Sequence, residues 1–241
     1  MSSTRTVQIS RTLLSGFGTR LFLYNQNRIP QNSAVLIVSN HRSFLDPILL
    51  TAAIARPIRF ACHHYMGEVP FLKDLVTTLG AFPLNDASNH PKHFFQQATE
   101  LLQQGEAVGI FPEGAEPMVK FSPPNTVGSF QRGFAHLALR ANVDNLAVLP
   151  VAMAAFEEES ISSMIPLRLL SWFDPSEPLF AQSGWHPLII YRRVNVLIGQ
   201  PYWITPQRQQ QYRGKQGKQA ALELTDHCQT EIAQLLQQGC I

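Results

Sequence analysis

The sequence predicts an α/β protein: a single domain with a mixed, mostly parallel sheet flanked by helices, and an N-terminal amphipathic helix. Three observations carry this. Runs rich in apolar residues at 34–39, 58–62, 107–111, 146–155 and 188–198 read as strands, those at 34–39 and 107–111 as buried ones. Between most of them lie segments with apolar residues three and four apart, the spacing of helices that cover a sheet. No repeat, low-complexity stretch or linker breaks the 241 residues, a length suited to one large core.

The elements follow in order. Residues 7–24 place Ile9, Leu13, Leu14, Phe17, Leu21 and Tyr24 on one helical face, with Arg11, Ser15 and Thr19 opposite and Arg20 at the edge. Such a helix either packs on the domain or lies on a membrane surface, and Gly16 and Gly18 weaken it by roughly 1 kcal/mol each. After the strand at 34–39, a helix is expected to start with Asp46 as N-cap and Pro47 in the first helical position, and to run through 48–55. A helix is expected at 67–79 and a short strand at 81–84. The helix at 91–104 turns Phe94, Phe95, Ala98, Leu101 and Leu102 inward and ends before Gly105. A proline-rich loop spans 112–129, then a helix at 130–141 buries Phe134, Leu137 and Ala138. Residues 157–187 read as irregular and 206–219 as polar and flexible. A closing helix at 220–237 turns Leu222, Ile232, Leu235 and Leu236 inward. Residues 1–28 are therefore assigned to a membrane-associating segment and 29–241 to the domain proper.

Composition narrows the function. Apolar residues make up 45% and charged residues only 15%, a low charge content that suits a surface partly covered by membrane or a partner. The net charge of +2 is unevenly spread: residues 1–45 hold Arg5, Arg11, Arg20, Arg28, Arg42 and no acid, leaving 14 basic and 17 acidic residues beyond. A basic front end suits an anionic lipid surface. Nucleic acid is not expected, because no basic stripe with interleaved aromatics follows. Cys62, Cys228 and Cys240 are odd in number and far apart, which fits a reduced intracellular protein without thiolate metal binding. No signal peptide or transmembrane helix is read, and Pro150 interrupts the longest apolar run. The protein is thus expected as a peripheral one on the cytoplasmic side of a membrane.

Two segments sit where strands of such a sheet end, the usual place for a site. One is "NHRSFLD", Asn40 to Asp46; the other is "FPEG", Phe111 to Gly114. A histidine in the first can take a proton from a hydroxyl near neutral pH, and a carboxylate on its other ring nitrogen can hold it in place. Equally, Asp46 before Pro47 is what a helix cap looks like, and His41 could be an ordinary turn histidine. No G-x-S-x-G elbow, Gly-rich phosphate loop or H-E-x-x-H is present. His63 and His64 are adjacent, and neighbours in an extended chain point to opposite faces, so no metal site is expected.

Taken together, "NHRSFLD" followed some 70 residues on by "FPEG" resembles the glycerolipid acyltransferase family, of the lysophosphatidate and glycerol 3-phosphate acyltransferase type. "EVPFLKDLVTTLGAFPL", "NLAVLPVAM" and "RRVNVLIGQPYWI" look like further blocks of that family, so the resemblance covers most of the chain. It implies that His41 deprotonates the acceptor hydroxyl, that Asp46 orients His41, and that no acyl-enzyme forms. It also implies substrate contacts from Asn40, Arg42, Ser43, Phe111, Pro112, Glu113 and Gly114. There would be no cofactor or metal; acyl-CoA or acyl-carrier protein would be the co-substrate and a lysolipid the acceptor, at a lipid membrane surface. Two positions depart from the family pattern. Asp86 and Glu116 stand about where the family carries arginines thought to bind the acceptor phosphate. Carboxylates there would repel a phosphate monoester, which points to a different acceptor head group unless Lys120 or Arg132 supplies the cation. Alternatives to the acyltransferase are a non-enzymatic lipid-binding relative and a hydrolase that activates water.

Overall fold

The computed structural model describes residues 3–63, 82–84, 90–114, 117, 123–161 and 188–239. Helices and strands alternate along the chain, and eight strands among the described residues form one sheet. They are β1 (Arg20–Tyr24), β2 (Val35–Ser39), β3 (Ile58–His63), β4 (Phe82–Leu84), β5 (Ala107–Ile110), β6 (Leu146–Ile161), β7 (Leu188–Ile198) and β8 (Tyr202–Ile204). The order is β1-β7-β6-β2-β5-β3-β4, with β8 paired to β6. β2 pairs in parallel with both β5 and β6, so the segment that leads to His41 lies in the middle of the sheet. β7 and β8 run antiparallel to β6, and β1 runs parallel to β7, which makes the sheet mixed.

All five β2 residues are buried, as a strand covered on both faces must be. Alternation splits them. Val35 and Ile37 face a layer containing α2 (Asp46–Ile54), with Leu45, Ile48, Leu49 and, from α1 (Ser3–Gly16), Leu14. Leu36 and Val38 face the other layer. That layer holds α3 (His90–Gln103), α4 (Gly133–Arg140) and α6 (Gly217–Gly239), which contribute Ala98, Leu102, Phe134, Leu137, Leu224, Cys228, Ile232 and Leu236. Each fully buried aliphatic side chain contributes roughly 1.5–3 kcal/mol, and two such layers fix the register of the central strands.

The N-terminal segment differs from expectation. The helix ends at Gly16, and residues 20–24 form β1 instead of its last turns. Gly18 takes φ +68°, a left-handed turn that an L side chain rarely adopts. Beyond it exposure alternates along Arg20–Tyr24, with Arg20, Phe22 and Tyr24 outward. Leu21 and Tyr24 satisfy helical spacing from Phe17 by coincidence. The side chain of Thr19 donates to Tyr191 O at 2.8 Å and sets β1 beside β7. α1 itself buries Thr6, Val7, Ser10 and Leu14, leaving Arg5 and Arg11 exposed.

Three further differences have local causes. β6 runs on to Ile161 because Glu157, Glu158 and Glu159, which read as polar loop, each meet an arginine: Arg20 at 3.3 Å, Arg42 at 2.7 Å and Arg192 at 2.6 Å. The "flexible" stretch at 206–219 begins with α5 (Pro206–Arg213), capped by Thr205 and carrying Pro206 in its first turn, then leads into α6. On α6, Leu224 and Cys228 are wholly buried while Leu222 is half-buried. The helix expected at 67–79 lies outside the described residues.

Candidate functional site

Strand β2 ends at Ser39 and α2 begins at Asp46, so residues 40–45 form a tight crossing at the C-terminal edge of the sheet. Asn40 is 1% exposed. Its amide donates to Met153 O at 3.1 Å and accepts from Met153 N at 2.8 Å. The side chain thus continues the β2–β6 ladder by one step.

Asp46 does not cap α2. The cap position is Leu45, which offers no side-chain acceptor, and Asp46 is the first helical residue. Its carboxylate instead reaches back over the crossing. Oδ2 accepts from His41 Nδ1 at 2.7 Å, from Arg42 N at 2.7 Å and from Ser43 N at 2.9 Å. Oδ1 accepts from the Tyr191 hydroxyl at 2.8 Å. Asp46 is fully buried, and a buried carboxylate persists as an anion only with several such donors. Because its partner is an acceptor, the His41 proton sits on Nδ1. Neutral His41 therefore carries its basic lone pair on Nε2. Burial, reinforced by Asp46, pushes the Tyr191 phenol well above its ordinary range, so it stays a donor.

The second motif closes on the first. β5 ends at Ile110, and Phe111 stacks on the His41 ring with centroids 4.1 Å apart and planes 11° apart. Phe60 stacks in turn on Phe111 at 5.3 Å. Pro112 is buried and its carbonyl accepts from Gln131 N at 2.9 Å. Gly114 completes the turn at φ +71°. Glu113 is 8% exposed and faces inward. One carboxylate oxygen accepts from His41 N at 3.0 Å and the other from Gly128 N at 2.6 Å. Burial raises the Glu113 carboxyl above its usual range, and the amides of Gly128 and His41 pull it back in part. Glu113 is thus a clamp: it ties the FPEG turn to the His41 turn and to the loop at 128.

Arg42 and Ser43, expected at the substrate, direct their side chains into the protein. Arg42 is 3% exposed and donates to Glu158 at 2.7 Å and to Pro123 O at 3.1 Å. The Ser43 hydroxyl donates to Ile189 O at 2.6 Å and accepts from Leu45 N at 3.1 Å. These bonds, with those of Asn40 and Asp46, hold the crossing between β6 and β7. His41 is left as the partly open member, its side chain 17% exposed. Sequence reasoning missed Tyr191, Gly128, Glu158 and Met153. None is near the motifs in the chain, and only the polar residues inside the "YRRVNVLIG" strand hinted that it served more than packing.

Among the described residues no cluster of histidine, cysteine or carboxylate side chains could hold a metal ion. His64, Asp86, Glu116 and Lys120 lie outside the described residues. A cavity of about 480 Å³ opens at the other end of the sheet, lined by Ser33, Ala34, Arg56 and Asn145. It lies before β2 and β6 begin, away from His41. No described helix is long and apolar enough to cross a membrane.

The chain is 24% identical over 137 residues to a 1-acyl-sn-glycerol-3-phosphate acyltransferase of Borreliella burgdorferi, covering 56% of this chain and 52% of that one. It is 26% identical over 129 residues to the chloroplastic 1-acyl-sn-glycerol-3-phosphate acyltransferase LPAT1 of Arabidopsis thaliana, covering 53% of this chain and 34% of the relative. The matched region thus spans about half or less of the length of these curated relatives. The fold resembles the crystal structure of the acyltransferase PlsC from Thermotoga maritima, with TM-score 0.62 and 16% identity over 97% of this chain and 77% of that one. A family model described as Acyltransferase matches residues 20–154, more than half of the sequence. The chain belongs to this acyltransferase family.

Proposed function

We propose that the protein moves a fatty acyl group from a thioester, acyl-CoA or acyl-carrier protein, to a hydroxyl of a glycerolipid acceptor. The observation that supports this is the 2.7 Å bond from His41 Nδ1 to a buried Asp46, which leaves the Nε2 lone pair available to act as a base. The acceptor hydroxyl gives its proton to His41 Nε2 as its oxygen attacks the thioester carbonyl. The tetrahedral adduct collapses, the C–S bond breaks, and the leaving thiolate takes the proton back from the imidazolium. Asp46 stabilises the imidazolium between these steps, and base catalysis of this kind contributes typically about 10²–10⁴-fold. No protein nucleophile is needed, in keeping with a site built around a base.

Phe111 shields one face of the ring and, with Pro112 and Gly114, borders the acceptor. Glu113 acts through the backbone of His41. Asn40, Arg42 and Ser43 position the crossing. The acceptor is 1-acyl-glycerol 3-phosphate or another lysolipid, and the named activity of the relatives favours the first. Asp86 and Glu116 favour a head group without a phosphate monoester. The exposed arginines of α1 serve contact with an anionic membrane surface on the cytoplasmic side.

The test is transfer of labelled acyl groups from each donor to a panel of lysophosphatidate, lysophospholipids with substituted head groups and lyso-glycolipids. Product on lysophosphatidate alone removes the changed-acceptor reading. Product on a substituted lysolipid supports it. No product on any acceptor, with intact binding to liposomes, supports a non-enzymatic lipid-binding role.

A further inference from the structure

Tyr191 is fully buried and lies on β7, 145 residues from Asp46 in sequence. A phenol in an apolar core must find a partner, and a phenylalanine would fill the same space without one. The partner is Asp46 Oδ1, at 2.8 Å. The two oxygens of Asp46 thus have separate duties. Oδ2 receives His41 and two backbone amides, and Oδ1 receives Tyr191. The last torsion of an aspartate is broad and two-fold, and rotation about it displaces both oxygens together, so every donor on either oxygen resists it. Tyr191 is the donor on Oδ1, and it fixes the plane of the carboxylate from the side that His41 and the two amides do not reach.

The geometry points to Tyr191 as a positioning residue of the reaction: its hydroxyl locks the Asp46 carboxylate so that Oδ2 stays on His41 Nδ1. The inference rests on the proposed role of His41 as the base. Tyr191 is itself held on both sides. Its carbonyl accepts from Thr19, and two residues earlier Ile189 O accepts from Ser43 of the crossing. β7 therefore carries the hydroxyl to Asp46 on a strand already bonded to the turn it serves.

The experiment compares wild type, Tyr191→Phe and His41→Ala by proton NMR of the low-field ring N–H, alongside steady-state kinetics. His41→Ala assigns the signal by its loss. In Tyr191→Phe the His41 Nδ1 proton is expected to shift and to exchange with water about tenfold faster, because the freed carboxylate leaves the bond open more often. kcat falls about tenfold with KM unchanged, the pattern of a lost interaction that acts on the chemical step. A core-packing role would leave the ring proton where it is. A Tyr191→Phe protein with the wild-type ring signal and wild-type kcat overturns the proposal.

Should Tyr191→Phe fail to fold, replacing all five tyrosines with 3-fluorotyrosine keeps the shape and makes the phenol a stronger donor. The His41 Nδ1 signal must then move, and an unmoved signal overturns the proposal. Acyl transfer that survives in His41→Ala would instead refute the catalytic reading, while the ring-proton result would still judge Tyr191.

Discussion

Asp46→Asn separates the charge of the carboxylate from its shape. The asparagine oxygen can take the place of Oδ2 and still accept from Arg42 N and Ser43 N, which stand at 2.7 and 2.9 Å. His41 Nδ1–H can still donate to it, so the tautomer survives. What disappears is the anion that, in the proposed mechanism, steadies the imidazolium. With charge centres about 4 Å apart and an effective dielectric of about 20, that attraction is about 4 kcal/mol. Lost from the transition state, it lowers kcat by about 10³-fold. Stability falls less, by about 1–3 kcal/mol, because the amide group now faces Tyr191 where a carboxylate oxygen stood. The assay is initial-rate acyl transfer at saturating donor and acceptor, with thermal unfolding of both proteins in parallel. An Asp46→Asn protein that keeps more than about a tenth of wild-type kcat, while folded, would refute a contribution of this size from the charge.

Three further outcomes follow from the site's supports. Glu113→Gln leaves one backbone amide, at His41 or Gly128, facing an NH2 group, and should cost about 2–3 kcal/mol of stability by denaturant unfolding. Burial raises the Glu113 carboxyl above 4.5, so its contribution is full below that pH and fades as pH rises through the folded-state value. The penalty of Glu113→Gln should therefore be larger near pH 5 than near pH 8, and an equal penalty at both would contradict the assignment. Arg42→Ala strands the largely buried Glu158 and should cost about 3–5 kcal/mol, with Arg42→Met/Glu158→Leu costing less than the single change; a smaller single cost would show that Arg42 is no strut. Gly109→Ala places a Cβ 2.1 Å from the Phe60 ring, which stacks on Phe111 and so on His41. It should cost about 1–3 kcal/mol and lower kcat, and wild-type kcat would show that the ring stack does not steer His41.

The central strands were legible because β2, β5 and the first ten residues of β6 are apolar runs too continuous for a solvent-facing element. Arg20–Tyr24 was not legible as a strand, because Leu21 and Tyr24 also fit helical spacing from Phe17 and only Gly18 marks the break. Glu157–Glu159 read as loop because a sequence cannot show that Arg20, Arg42 and Arg192 arrive from other segments to pair with them. α5 carries polar residues throughout, and only the Thr205–Pro206 start signal announced it. At the site, the five-residue spacing made the His41–Asp46 contact foreseeable. The cap did not follow, because three donors in the turn compete for the Asp46 oxygen that meets His41 and Tyr191 holds the other. Glu113 and Tyr191 act across 72 and 145 residues of chain, distances that only the sheet order closes.

The most direct test of the account is a single-turnover comparison of wild type and His41→Ala with a labelled acyl thioester and the acceptor the panel selects. The account predicts labelled lipid and free thiol in equal amounts with wild type, no labelled protein at any time, and at least about 10²-fold slower transfer with His41→Ala. Undiminished transfer by His41→Ala, or an acyl-protein that forms and decays on the path, would contradict it.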